Sequence, residues 1–298
     1  MDNLTHSLVG LLIARAAPGP AVPRAAALCI VAANIPDADI VTMFDPAMYL
    51  VYHRHITHAI VAIPLMAALA VGLVNAWGRR AGRTELWRQW ALALAGVGSH
   101  VGLDMMNSYG VRLWLPFSAE WSSWDLFFII DPLIWAMLAA AVLIPLRWPV
   151  RACAARMSLA GLVVYALASL WIRNGVEARV AGMKIAGEDA VELRLFPAPW
   201  TPWNWGAYAR TESGQYSLNP GNGQYTELAP PQANVLDELR KTSLGRAYLQ
   251  FAQFPVVMAE PGGIVLGDIR FVRNGRLGFT CRFDVDEAGR ITYGRFEF

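Results

Sequence analysis

His100 and Asp104 stand four residues apart in the run Ser99-His100-Val101-Gly102-Leu103-Asp104. On a helix this spacing puts an imidazole and a carboxylate on one face, where both can bind one cation. Alone, such a pair serves equally as a surface hydrogen bond; at the end of an apolar segment an unpartnered ionisable group is costly, which favours ligation. Asp37 and Asp39 follow Pro36 two residues apart and can face one cation or two neighbouring ones, or be solvated turn residues after a proline stop. The run His53-Arg54-His55-Ile56-Thr57-His58 offers three imidazoles and a guanidinium suited to gripping a phosphate through paired hydrogen bonds. A helix start capped by Thr57, with Arg54 reaching to lipid phosphates, accounts for Thr57 but not for three histidines. His6 completes the set of five histidines, all within the first hundred residues. Asp131-Pro132 also reads as a helix N-cap with proline at the first helical position, and Asp125 also reads as a solvated loop residue.

The elements that must position these groups are apolar. The chain is 55% hydrophobic with a mean hydropathy of +0.34, more than a soluble domain needs, and the excess lies in the first 173 residues. Ala59 to Trp77, Gln89 to Leu103, Pro132 to Leu146 and Met157 to Ile172 approach the roughly 17 to 25 residues that cross hydrocarbon, and arginines or tryptophans flank each. Leu4 to Ala17 and Ala25 to Ile35 are shorter, and the Pro18-Gly19-Pro20 turn between them predicts a helical hairpin that crosses the bilayer or dips into it. Asp2 and His6 stand where a secretory signal would be cationic, so the start is expected to be retained.

Letting the chain change sides at each span brings Arg15, Arg24, Arg79, Arg80, Arg83, Arg88, Arg147, Arg151 and Arg156 to one side, with only Glu85 among the acids. The positive-inside rule makes that side cytoplasmic. His6, Asp37, Asp39, His53, His55, His58, His100, Asp104, Asp125 and Asp131 then converge on the extracytoplasmic face.

Asp2-Asn3-Leu4-Thr5-His6-Ser7, the run from Asn34 to Asp39, His53-Arg54 with Thr57-His58, Ser99-His100 with Leu103-Asp104, Asn107-Ser108-Tyr109-Gly110, and Phe128 to Pro132 occur in that order. Together they resemble the YdjM-type family of bacterial inner-membrane-associated metal-dependent hydrolases, in its longer form with an added C-terminal domain. The resemblance covers about residues 1 to 175. It implies a zinc-type hydrolase distantly similar to zinc-dependent phospholipase C and P1 nuclease, in which a helical His-x-x-x-Asp, like His100 and Asp104, joins a metal cluster. His55 and Ala59 depart from the family pattern, which leaves His55 as an extra ligand, a partner behind a ligand, or incidental. The free N-terminal tryptophan ligand of the phospholipase group is also missing.

From residue 174 onward the character changes, with 13 Lys plus Arg against 14 Asp plus Glu. Alternating stretches at Ala190 to Phe196, Gly263 to Phe271 and Gly278 to Asp284, and an amphipathic helix over Asn234 to Phe251, predict a small α+β domain. The expected architecture is therefore mainly α: a multi-span helical membrane domain over 1–175, then an α+β extracytoplasmic domain over 176–298. The segment from Phe196 to Trp205 is stiff and aromatic; Trp200 and Trp203 either rest at headgroup level and admit a lipid or pack the domain onto the helices. Cys29, Cys153 and Cys281 predict no intramolecular disulfide. No P-loop, dinucleotide fingerprint, serine elbow or basic nucleic-acid stripe is present.

The function expected is an inner-membrane, multi-pass hydrolase that uses two or three divalent ions, zinc by preference, against a phosphoester or ester of a membrane or envelope lipid. His6, Asp37, Asp39, His53, His58, His100, Asp104 and Asp131 are its expected ligands. Asp39, Asp125 and Arg54 are expected to do catalytic work, and Arg54, Trp200 and Trp203 to bind the lipid substrate. A metal or proton transporter would place such residues near mid-span, and a scaffold with a structural ion would close its coordination. Ten candidate ligands exceed one closed tetrahedral shell.

Overall fold

Proline and arginine placement cuts the apolar region into shorter helices than its hydropathy suggests. The structure, a computed structural model, describes residues 1–76, 82–143, 147, 149–228, 231–273, 276–286 and 290–297. Helix α1 (Asn3–Ala16) and α2 (Ala25–Ala32) pair as a hairpin. The Asp2 carboxylate caps α1 by accepting from the Thr5 amide at 3.0 Å. A 3-10 stretch, Ile35–Phe44, leads to α3 (Pro46–Tyr52), which has the Asp45 side chain as its cap. Short 3-10 turns at Ile56–His58 and Ile60–Ala62 precede α4 (Ile63–Asn75); α5 (Arg83–Met105), α6 (Pro132–Leu143) and α7 (Val150–Ala181) follow.

Among the described residues α7 is long and apolar enough by itself to cross a membrane; Ala25–Ala32 with Ile35–Phe44, and Pro46–His58 with Ile60–Asn75, reach that length only as bent pairs. Four long spans were expected. The stretch from Ala59 to Trp77 instead spends its first residues on a 3-10 turn, leaving α4 with 13 residues, about 20 Å of helix. Helix α5 has the length but opens on Arg83, Glu85 and Arg88. Helix α6 is described to Leu143; residues 144–146, like Trp77, Arg79 and Arg80, lie outside the described residues.

The chain divides into two compact units. The first comprises Met1–Asp39, Arg54–Trp171 and Pro199–Trp203. Its helices are held by two apolar clusters: Leu28, Ala32, Ala67, Ala70, Ala93 and Val97 join α2, α4 and α5, while Val9, Leu12, Leu103, Phe127, Ile134 and Leu138 join α1, α6 and the end of α5.

The second unit comprises Ile40–His53, Ile172–Ala198 and Asn204–Phe298, and it carries more sheet than the mixed domain expected. Strands β1 (Glu192–Pro197), β2 (Trp205–Arg210), β3 (Gln215–Leu218) and β4 (Tyr225–Leu228) form one antiparallel sheet in that order. After two helices, α8 (Ala233–Lys241) and α9 (Ser243–Phe251), come β5 (Pro255–Glu260), β6 (Gly263–Asp268), β7 (Val272–Arg273), β8 (Arg276–Leu277), β9 (Thr280–Val285) and β10 (Ile291–Glu297). These give a sheet of order β10-β9-β6-β5 and a two-stranded ribbon of β7 and β8. The single helix expected over Asn234 to Phe251 is broken because Thr242 turns extended (φ −89°, ψ 148°) and its hydroxyl caps α9 at the Gly245 amide, 3.0 Å away.

Candidate metal centre

Glycines set the spacing of the helices that carry the site. A Cβ on Gly10 would lie 2.5 Å from the Cys29 carbonyl oxygen, and one on Gly96 2.9 Å from the Ala32 Cβ, so α1, α2 and α5 approach as only small residues allow. One helical turn further on stand His6, Ala33 and His100. The His6 and His100 rings accordingly stack, with centroids 3.8 Å apart and planes inclined by 26°, and His100 Nδ1 lies 2.7 Å from the Ala33 carbonyl oxygen. The 3-10 stretch after α2 adds Asp37, and the turn Ile56–His58 adds His58.

Four donor atoms then converge. The Nε2 atoms of His58 and His100 are 3.0 Å apart. Asp37 Oδ1 is 3.4 Å from the first and 3.5 Å from the second, and Asp104 Oδ2 is 3.4 Å from each. A tetrahedral ion with ligands at 2.0–2.1 Å has edges of roughly 3.3 Å, so the separations suit one ion. All four side chains are buried, and Asp37 Oδ1 and Asp104 Oδ2 have no hydrogen-bond donor among the described residues.

The proton positions point the same way. A carbonyl oxygen only accepts, so His100 Nδ1 carries the hydrogen and Nε2 the lone pair. The Thr57 hydroxyl donates to Asp39 Oδ2 at 2.7 Å, leaving its oxygen to accept from His58 Nδ1 at 3.0 Å. In their neutral forms both imidazoles therefore aim lone pairs at the point the two carboxylate oxygens also face, an arrangement that positive charge there, a metal ion or a proton on one Nε2, satisfies.

Around this group lie the residues that hold it. Asp39 stands behind His58, with Oδ2 3.5 Å from His58 Nδ1 and also accepting the Arg54 amide at 3.0 Å. The other oxygen of Asp104, Oδ1, faces Arg54 Nη2 at 3.1 Å and His6 Nε2 at 3.3 Å, and the amino nitrogen of Met1 lies against it. Arg54, read from the sequence as a phosphate clamp, is 3% exposed. Its Nη1 donates to Asn107 Oδ1 at 3.1 Å, and its guanidinium lies 4.7 Å from the centre of the Tyr109 ring. Its backbone is left-handed, φ 58°, and its carbonyl accepts from the Arg112 amide at 3.1 Å.

The remaining expected residues lie outside the four-donor group. The His53 ring stacks on Tyr49 at 4.7 Å. His55 is half-buried, and its carbonyl accepts from the His58 amide. Asp131 caps α6: Oδ1 accepts from the Leu133 amide at 2.9 Å, and Oδ2 accepts the Tyr165 hydroxyl at 2.8 Å. Asp125 is buried with a left-handed backbone, φ 51°, outside the converging donors. Trp200 and Trp203 are exposed on the Pro199–Trp203 turn of the first unit.

Asn107 and Tyr109, which hold Arg54, have no role that their spacing alone predicts, and Thr57 acts as a partner of His58 and Asp39 rather than as a helix cap. The available signal was the presence of all three inside the family-like motifs.

A family model described as YdjM inner membrane protein matches residues 1–176. The uncharacterized protein YfhP of Bacillus subtilis (strain 168) is 28% identical over 153 residues, which are 48% of this chain and 46% of that protein. The chain thus spans about half the length of this curated relative. No solved structure matches.

Proposed function

The chain belongs to the YdjM inner membrane protein family, and from that premise we propose that it is a multi-pass, membrane-embedded metal-dependent hydrolase acting on a phosphoester or ester of a membrane or envelope lipid. The observation that carries the metal part of this reading is the meeting of His58 Nε2, His100 Nε2, Asp37 Oδ1 and Asp104 Oδ2, four buried lone-pair atoms at tetrahedral spacing; the hydrolysis rests on the family resemblance. Two imidazoles and two carboxylates suit zinc. What a divalent ion supplies when held there is Lewis acidity, which brings the pKa of a water towards roughly 7.

The chain's own residues have separate tasks in this proposal. Thr57 and Asp39 hold the His58 ring in the tautomer that presents Nε2. Arg54, fixed by Asn107 and Tyr109, orients Asp104 through its second oxygen. His6 stands beside the group, its Nε2 3.3 Å from Asp104 Oδ1 and its ring stacked on His100, near enough to relay a proton. The distant kinship with zinc-dependent phospholipase C and P1 nuclease is part of the proposal and rests on the His100 and Asp104 pair. The orientation, with the arginine-rich side cytoplasmic and the C-terminal region outside, is also part of the proposal and rests on the arginine distribution.

One observation favours a second reading, a non-catalytic membrane scaffold with a structural ion: four protein donors fill a tetrahedral shell. Metal analysis of the detergent-purified chain, followed by a hydrolysis screen on phospholipids and model phosphoesters, separates the two. Bound metal with turnover supports the hydrolase. Bound metal without turnover of any ester leaves the scaffold, and a chain that retains no ion sinks both.

A further inference from the structure

We infer that the four-donor layer lies inside the hydrocarbon thickness of the bilayer rather than at its water edge, and that the lipid it acts on arrives sideways, within the membrane. The route, though not the depth, rests on the hydrolase reading above.

The depth follows from two layers of contacts within the first unit. The upper layer holds the site. His6 meets Asp104, and the Asp2 carboxylate accepts Trp135 Nε1 at 3.1 Å in the first turn of α6. Asp131, at the start of α6, accepts the Tyr165 hydroxyl of α7, and the Tyr165 ring stacks on Phe127 with centroids 5.2 Å apart. The lower layer is made by arginines. Arg15 Nη1 donates to the carbonyls of Ala141 and Val142 at 3.2 Å, Arg156 Nε to Ala16 O at 3.0 Å, and Arg24 Nη1 to Val74 O at 2.7 Å.

Nine residues separate His6 from Arg15, Ala33 from Arg24, and Tyr165 from Arg156. At 1.5 Å per residue the two layers are about 14 Å apart. Adding about 6 Å for arginine side chains that reach on toward water still leaves the site roughly 20 Å from that side of a core about 30 Å thick.

On the other side α7 itself stays apolar: its Leu167 and Trp171 are 61% and 77% exposed, and the first charge along α7 after Tyr165 is Arg173, eight residues on and about 12 Å further along the helix. Thr201, whose carbonyl oxygen lies against the Tyr165 hydroxyl, is fully buried, while Trp200 and Trp203 beside it are 59% and 72% exposed. Their rings offer an aromatic rim to lipid near this depth.

The test labels Val164, which is 64% exposed and next to Tyr165. A nitroxide on Val164→Cys, in a Cys153→Ser background and in phosphatidylcholine/phosphatidylglycerol liposomes, is compared with one on Arg173→Cys for collision with oxygen and with a water-soluble nickel chelate. Leu167→Cys, on the same face, serves if Val164→Cys does not insert. The expected result is at least tenfold lower nickel collision at the α7 position than at Arg173; equal collision at the two overturns the depth. Turnover of liposome phospholipid is then compared with that of bis(p-nitrophenyl) phosphate. Preference for the lipid is expected, and preference for the soluble diester overturns the sideways route. Turnover of neither by metal-loaded protein removes the hydrolase reading and the route with it, while the label result still decides the depth.

Discussion

His58 and His100 point their Nε2 atoms at each other across 3.0 Å while each Nδ1 faces a protein oxygen, that of the Thr57 hydroxyl for His58 and of the Ala33 carbonyl for His100. Two neutral imidazoles so arranged repel unless a proton or a metal ion lies between them and the flanking carboxylates. The pair thus brings α2, the turn at Ile56–His58 and α5 to one point where an ion could be held.

Removing a donor should show this unity. His100→Ala and Asp104→Ala are each expected to strip the ion and abolish hydrolysis, and the double variant to fall within about threefold of the worse single one, because groups acting together are not additive. Metal content and turnover of detergent-purified variants decide it; independent, additive losses would mean that the two residues do not share an ion.

Thr57→Val should weaken metal affinity about 10- to 100-fold, the usual effect of losing a partner behind a ligand. Thr57→Ser should restore it, since the hydroxyl relay between His58 and Asp39 is kept. Chelator competition measures both, and equal affinity of the valine and serine variants would refute the relay.

For Arg54→Lys the expected outcome is a loss of metal affinity of about tenfold or more. An ammonium keeps one charge near Asp104 but cannot also bond Asn107 and cover the Tyr109 ring. A phosphate clamp alone predicts the opposite pattern, with metal retained and only the affinity for phosphorylated substrate reduced.

Gly10→Ala puts a methyl group against the Cys29 backbone and should destabilise the chain by about 1–3 kcal/mol while disturbing the His6 and His100 stack. Gly98→Ala, with nothing within 4 Å of the added carbon, should be neutral or stabilising by up to about 1 kcal/mol. Thermal unfolding in detergent compares them, and equal melting temperatures would remove the close helix crossing as the element that spaces the site.

Topology is tested by a reporter fused at the C-terminus, expected to read as extracytoplasmic, and one inserted near Gly82, expected to read as cytoplasmic. Reversed readings would put the site on the opposite side of the membrane.

Much of the site was legible because helical spacing leaves little choice. His100 and Asp104 at i and i+4 share a face of α5, and Asp37 just past the end of α2 had to lie near it. What local spacing could not reveal was the use of each group after folding. Asp131 works as a cap bonded by Tyr165, and Arg54 is turned inward by a left-handed backbone. Helix lengths were overread for a similar reason: hydropathy runs through Ile60–Ala62 without marking the 3-10 geometry that shortens α4. In the C-terminal region Thr242 divided one amphipathic period into two short helices, a capping event that periodicity does not register.

The two apolar clusters that hold the helices, one joining α2, α4 and α5 and the other α1, α6 and the end of α5, are built without the four donors. In zinc-finger domains the ion substitutes for a core and the chain unfolds without it. Here the bundle has its own core, so a bound ion would be a guest in a chamber that is already built. Chelation should therefore leave a folded chain that recovers when metal is returned, and the identity of the ion can follow supply rather than folding.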